Sequence, residues 1–115
     1  VVVDDHAINR SLLRDLLAPL GFDIVEFDSA EAMLAVAPGG VVADLAFLDV
    51  KLPGIDGLEL ARRLRQRTDT ERLPIVFTSA SVLTFDYVAA ERIGCAGFLP
   101  KPFAEAQLHA LLRQT

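Results

Sequence analysis

Short, nearly uninterrupted apolar runs alternate along this chain with longer segments whose apolar residues recur every three or four positions. The short runs are Val1–Asp4, Asp23–Phe27, Leu45–Asp49, Pro74–Ser79 and Gly97–Leu99, and they predict strands. Stretches such as Leu45-Ala46-Phe47-Leu48 and Ile75-Val76-Phe77 carry no polar alternation, which is the habit of parallel strands covered on both faces. The segments between them predict helices. Ile8, Leu12, Leu16 and Leu13, Leu17 recur at helical spacing, as do Leu58, Ala61, Leu64 and then Leu108, Leu111, Leu112; Ala30–Ala37 and Phe85–Ile93 are shorter and weaker. Asp56 and Gly94 read as caps of the third and fourth helices, and Pro19 should stop the first helix near Leu17. Five strands alternating with five helices imply an α/β domain, a doubly wound five-stranded parallel sheet with helices on both faces.

In open sheets of this kind ligands bind beyond the carboxyl ends of the strands. Those ends carry Asp4 and Asp5, then Asp49, then Thr78 and Ser79, then Lys101. Each has an ordinary reading alone: a helix cap, a turn residue, a local hydrogen bonder or an exposed loop lysine. Their coincidence at successive strand ends points to chemistry. Three clustered carboxylates repel one another unless a cation joins them. An all-oxygen ligand set suits Mg²⁺, which takes one or two carboxylates, waters and phosphate oxygens. A lysine supplies a mobile positive charge for a phosphoryl oxygen, and a hydroxyl supplies a hydrogen bond. Together these are the means for phosphoryl transfer to a carboxylate.

Composition narrows the classes. With 115 residues, 52% hydrophobic and 23% charged, the chain has the make-up of one folded domain, taken here as 1–115. No apolar run approaches the ~20 residues of a membrane helix. The net charge of −5 argues against nucleic-acid binding by the domain itself. Cys95 is the single cysteine, so no internal disulfide can form; a reducing, cytoplasmic setting fits, with Cys95 a small loop or core residue. His6 and His109 read as solvated surface residues. Val1 already reads as mid-strand, so the chain is expected to belong to a longer protein.

Four stretches carry a resemblance over essentially the whole chain: Val1-Val2-Val3-Asp4-Asp5; Phe47-Leu48-Asp49-Val50-Lys51-Leu52-Pro53-Gly54-Ile55-Asp56-Gly57; Pro74-Ile75-Val76-Phe77-Thr78-Ser79-Ala80; and Gly97-Phe98-Leu99-Pro100-Lys101-Pro102-Phe103. In this order and spacing they resemble the receiver domains of two-component response regulators. The resemblance implies a flavodoxin-like (βα)5 fold with strand order 2-1-3-4-5, and a signalling domain rather than a conventional enzyme. It implies that Asp49 is the phosphoacceptor. Mg²⁺ would be bound by Asp5 directly, Asp4 through water, Asp49, and the backbone carbonyl of Lys51. It makes Ser79 the switch hydroxyl, Lys101 the phosphate-binding lysine, Phe98 the aromatic switch position, and Lys101–Pro102 a cis bond. The implied partners are a histidine kinase or a histidine phosphotransfer domain, with self-pairing through a switched α4-β5-α5 surface left open, and no nucleic acid or membrane bound by this domain. The opening Asp5-His6-Ala7-Ile8-Asn9-Arg10 resembles receivers fused to hybrid sensor histidine kinases, while stand-alone and transcription-factor hosts stay open. Leu52 stands where methionine is commoner, Lys51 is a charged choice beside the acceptor, and Pro100 stiffens the loop.

Other classes fit less well. An aspartyl-phosphate phosphatase needs a second Asp two residues after the first, where this chain has Lys51. A flavodoxin-like electron carrier needs a Ser/Thr/Gly-rich phosphate loop after the first strand, where this chain has Asp4-Asp5-His6. A degenerate receiver that only binds proteins usually lacks an acidic residue or the lysine, and none is missing.

Overall fold

Side-chain alternation along the strands decides which helices lie on which face of the sheet. The computed structural model describes residues 1–36, 43–80 and 86–114. Its elements in chain order are β1 (Val2–Val3), α1 (Ala7–Leu17), a 3-10 turn (Ala18–Leu20), β2 (Glu26–Phe27), α2 (Ala30–Leu34), β3 (Ala46–Asp49), α3 (Gly57–Arg65), β4 (Ile75–Ser79), α4 (Tyr87–Ile93), β5 (Gly97–Pro100) and α5 (Glu105–Gln114). The strands form one parallel sheet in the order β2-β1-β3-β4-β5, as the resemblance implied.

Successive strand residues point to opposite faces. Val3, Ala46, Leu48, Ile75 and Phe77 face one side, where they pack with Ala30 and Met33 of α2, Leu60, Ala61 and Leu64 of α3, and Ala90 of α4. Val2, Phe47, Val76 and Leu99 face the other and pack with Leu13 and Leu17 of α1 and Leu108 of α5. The apolar runs lacked alternation because both sets are buried.

Several boundaries differ from the sequence expectation. β2 spans Glu26–Phe27 rather than Asp23–Phe27; it is an edge strand, paired on one side, with Val25 exposed. β1 is short, yet its ladder continues through Val2 N–H to the Val25 carbonyl (2.9 Å) and Asp4 N–H to the Phe27 carbonyl (3.1 Å). On α1 the expected stripes part company. Leu13 and Leu17 are buried, whereas Ile8 is 75% and Leu12 44% exposed. The two rows lie about 100° apart around the helix, and the sheet takes one of them. α1 ends at Leu17 ahead of Pro19, Gly94 caps α4 in the left-handed region, and the Asp56 side chain caps α3 by accepting from Glu59 N–H (2.8 Å). The expected ends of the second and fourth helices at Ala37 and Phe85 lie outside the described residues.

Arg65 joins α3 to α4. Its guanidinium donates to the carbonyls of Leu73 (2.6 Å), Gly94 (2.8 Å), Ile93 (3.0 Å) and Thr70 (3.3 Å). Desolvation holds its pKa below the ordinary arginine value. Charged hydrogen bonds to carbonyls each carry roughly 1.5–3 kcal/mol, discounted where water reaches them. Arg65→Ala is therefore expected to cost about 2 kcal/mol in urea unfolding, and Arg65→Lys should recover little, since lysine lacks the planar fork.

Candidate functional site

The carboxyl ends of β1, β3 and β4 and the residue after β5 meet at one edge, so the chain elements themselves bring the expected residues together. Asp49 ends β3 beside Thr78 of β4, and Ser79 is in register with Pro100. Asp4 follows β1, and Lys101 follows β5, tied back by its own N–H to the Ser79 carbonyl (2.8 Å). The Lys101–Pro102 peptide is cis, as expected.

Lys101 Nζ stands between two buried carboxylates, 3.0 Å from Asp4 Oδ2 and 3.1 Å from Asp49 Oδ2. Asp4 and Asp49 are 1% and 3% exposed. Asp4 is held from several sides. Its Oδ1 accepts from His6 N–H (2.9 Å), and its carbonyl accepts from Arg10 (2.7 Å), whose Nε lies 3.4 Å from Glu26 Oε1. Asp4 Oδ2 is enclosed and makes no aligned hydrogen bond among the described residues; its contact with Lys101 is an ion pair. Asp49 Oδ1 accepts a long bond from Lys51 N–H (3.3 Å). Beneath it Gly57 N–H donates to the Val50 carbonyl (2.9 Å), and a side chain at Gly57 would strike the Asp49 carbonyl. The glycine thus lets α3 begin directly under the β3 end.

The charges strain against one another. Burial pushes the Asp49 carboxyl above the ordinary aspartate range, and the negative charge of Asp4 adds to this; the Lys101 ammonium and the Lys51 N–H offset it in part. Burial works against the Lys101 charge, but its contacts with Asp4 and Asp49 outweigh it and leave the lysine pKa raised. Asp4, Asp5, His6 and Asp49 each offer a ligand atom, all within 4.8 Å of one another. Three carboxylates against one ammonium leave an excess of negative charge that fits a divalent cation.

A family model described as response regulator receiver domain matches residues 1–113. The chain belongs to the receiver-domain family. It is similar to the phosphate regulon transcriptional regulatory protein PhoB of Rhizobium meliloti, at 38% identity over 97% of this chain and 49% of that protein. It is also similar to the receiver domain of a sensor histidine kinase from Pseudomonas aeruginosa, whose crystal structure has a magnesium ion coordinated in the active site cleft; the TM-score is 0.85 at 25% identity, over 98% of this chain and 92% of that one. Its fold is shared with the chemotaxis protein CheY4 of Vibrio cholerae, with a TM-score of 0.88 at 22% identity over 98% and 93% of the two chains. This receiver spans about half the length of the curated relatives it matches.

The two histidines have partners that the sequence did not suggest. His6 is exposed, as expected, and its Nδ1 also lies 3.0 Å from Asp5 Oδ1 and 3.6 Å from Asp4 Oδ1, because the turn from β1 into α1 folds it back onto the acids. His109 is half-buried, with Nε2 3.8 Å from Glu105 Oε1 one helical turn earlier. Two further contacts escaped the sequence. Arg10 reaches the Asp4 carbonyl, and Tyr87 of α4 meets Phe98 edge-to-face, with ring centroids 5.8 Å apart at 63°. Arg10, six residues after Asp4 and on α1, follows no spacing rule, and Tyr87 and Phe98 are joined only by the fold.

The raised pKa of Asp49 carries a stability sign. A carboxyl whose folded pKa lies above its unfolded value favours folding when protonated, and that advantage is lost as pH rises through the raised pKa. At neutral pH the ionised Asp49 therefore opposes folding. Asp49→Asn is expected to raise the melting temperature of the metal-free protein by several degrees, on the order of 1 kcal/mol. The gain should shrink as pH falls through the carboxylate range. Scanning calorimetry at pH 7 and pH 4 checks both parts; a lower melting temperature for the variant at pH 7 would contradict the assigned balance.

Proposed function

We propose that residues 1–115 form a phosphoacceptor receiver domain, in which Asp49 takes a phosphoryl group from a phosphohistidine. The observation that carries this reading is the placement of Lys101 Nζ against both of the buried carboxylates, Asp4 and Asp49. One Asp49 carboxylate oxygen attacks phosphorus as the phosphorus–nitrogen bond to the donor imidazole breaks, leaving an acyl phosphate on Asp49 and a neutral imidazole after protonation from solvent. Lys101 Nζ, 3.0 Å from Asp4 and 3.1 Å from Asp49, would turn to an oxygen of the phosphoryl group arriving on Asp49. Asp4, Asp5, Asp49 and the Lys51 carbonyl would hold Mg²⁺, which when bound supplies charge neutralisation for the transferred group. The acidic cluster supports this, as does the magnesium in the cleft of the related sensor-kinase receiver.

In this reading Ser79 and Phe98 carry the response. Ser79 is buried at the end of β4, and Phe98 lies one strand over on β5, against Tyr87 of α4. A phosphoryl group on Asp49 offers the Ser79 hydroxyl a new acceptor, and the bias toward the switched state must come from that differential bond. Movement of Ser79 makes room for Phe98 to turn inward and repacks the surface of α4, β5 and α5. The partners are a histidine kinase or a histidine phosphotransfer domain, in a cytoplasmic setting. Among the described residues no helix is long and apolar enough to cross a membrane. The relatives include transcriptional regulators and a sensor kinase receiver, which keeps hybrid-kinase, transcription-factor and stand-alone hosts all open.

Two experiments test the reading. A small phosphodonor with Mg²⁺ should add one phosphoryl group to the wild type and none to Asp49→Asn by intact-mass spectrometry. Full labelling of the variant would move the acceptor elsewhere. With beryllofluoride and Mg²⁺, amide shifts around Phe98 should be large in the wild type and small in Ser79→Ala. Equal shifts in the two proteins would remove the hydroxyl from the coupling.

A further inference from the structure

β1 ends at Val3, and the peptide joining Asp4 to Asp5 lies past its end. The Asp4 N–H still belongs to the ladder, donating to the Phe27 carbonyl (3.1 Å). Its carbonyl is the next group along, but β2 ends at Phe27, and the chain turns at Ser29 into α2, with the Ser29 hydroxyl capping that helix. Arg10 takes the place of a strand partner: its guanidinium donates to the Asp4 carbonyl (2.7 Å). Helix side chains lean toward the N-terminus, so an arginine near the start of α1 points back at the end of β1. Glu26 of β2 steadies the guanidinium, with Oε1 3.4 Å from Nε, while its Oε2 accepts from Arg14 one turn further along α1 (2.6 Å). Arg10 is 20% exposed against 48% for Arg14, so water screens its pairing less.

The two peptides that flank the Asp4 Cα are thus anchored by different means, one by the β2 backbone and one by Arg10. Rotation of the second would turn the Asp4 carboxylate away from Lys101 Nζ, now 3.0 Å off, and carry Asp5 with it. We infer that Arg10 is a positioning residue for phosphoryl transfer, an assignment that rests on the reading of Asp49 as the phosphoacceptor. It touches no reacting atom; it holds the Asp4–Asp5 peptide so that both acids stand at the Asp49 edge. Arginine suits the task because its rigid fork engages a carbonyl and a carboxylate at once, whereas lysine offers a point charge on a flexible stem.

The test follows labelling by phosphoramidate with Mg²⁺, by intact mass over a range of donor concentrations, in wild type, Arg10→Ala, Arg10→Lys, Glu26→Gln and Arg14→Ala. A misplacement of about 1 Å at a reacting centre costs on the order of a hundredfold in rate, so Arg10→Ala, which frees one of two anchors, should lower the maximal rate roughly tenfold or more. The half-saturating donor concentration should stay in place, since Arg10 does not meet the donor. Arg10→Lys should fall between the two. Glu26→Gln should show the same loss in weaker form, which keeps the test decisive if Arg10→Ala does not fold. Arg14→Ala removes a charge from the same helix and the same carboxylate without touching Asp4, and should keep the wild-type rate. In the metal-free proteins the ¹³C resonance of the Asp4 carboxylate should shift in Arg10→Ala and stay in place in Arg14→Ala; a role in fastening α1 alone would not move it. A wild-type rate in folded Arg10→Ala, an equal fall in Arg14→Ala, or an unmoved Asp4 carboxylate resonance would overturn the inference while leaving Asp49 as the acceptor. Full labelling of Asp49→Asn, or no labelling of the wild type, would instead sink the acceptor assignment, and the inference with it.

Discussion

The mutual repulsion of buried carboxylates is the constraint around which the carboxyl edge is arranged. Asp4 and Asp49 are both almost fully enclosed, and one lysine ammonium lies within 3.1 Å of each. That lysine is held by its own backbone bond to the Ser79 carbonyl, which fixes β5 against β4 at the point where the charge is needed. Gly57 lets α3 start under Asp49, and Arg10 fastens the Asp4 backbone from α1. Each neighbouring element thus contributes to keeping like charges close, which a chain selected for stability alone would avoid.

Much of this was readable in the sequence because strand ends in a parallel sheet converge by topology. Asp4, Asp5, Asp49, Ser79 and Lys101 could be placed on one edge once five βα units were recognised, with no knowledge of their distances. The two-faced burial of Phe47, Leu48, Val76 and Phe77 was legible from the absence of alternation. The register was not, since an uninterrupted apolar run fits several offsets equally well.

What remained hidden depends on side-chain direction. Ile8 and Leu12 share the spacing of Leu13 and Leu17, and spacing does not say which row meets the sheet. His6 looked like an ordinary surface histidine, since its approach to Asp5 depends on the dihedral angles of a single residue between β1 and α1. The contact of Tyr87 with Phe98 links residues eleven positions apart, on a helix and the strand that follows it. Arg65 likewise gave no sign that four carbonyls from two separate segments would converge on it.

The Arg65 clamp has a mechanical consequence. It grips the Ile93 and Gly94 carbonyls, at the far end of α4 from Tyr87. A helix pinned at one end and nudged by a ring at the other behaves as a lever with its fulcrum at the pin. Displacement begun at Phe98 would then be smallest at Ile93 and grow toward Tyr87 and Val88, two exposed side chains on the first turn of α4. The fulcrum belongs to α3, whose first residue sits under Asp49, so in the proposed switch the helix beneath Asp49 would also supply the fixed point for α4.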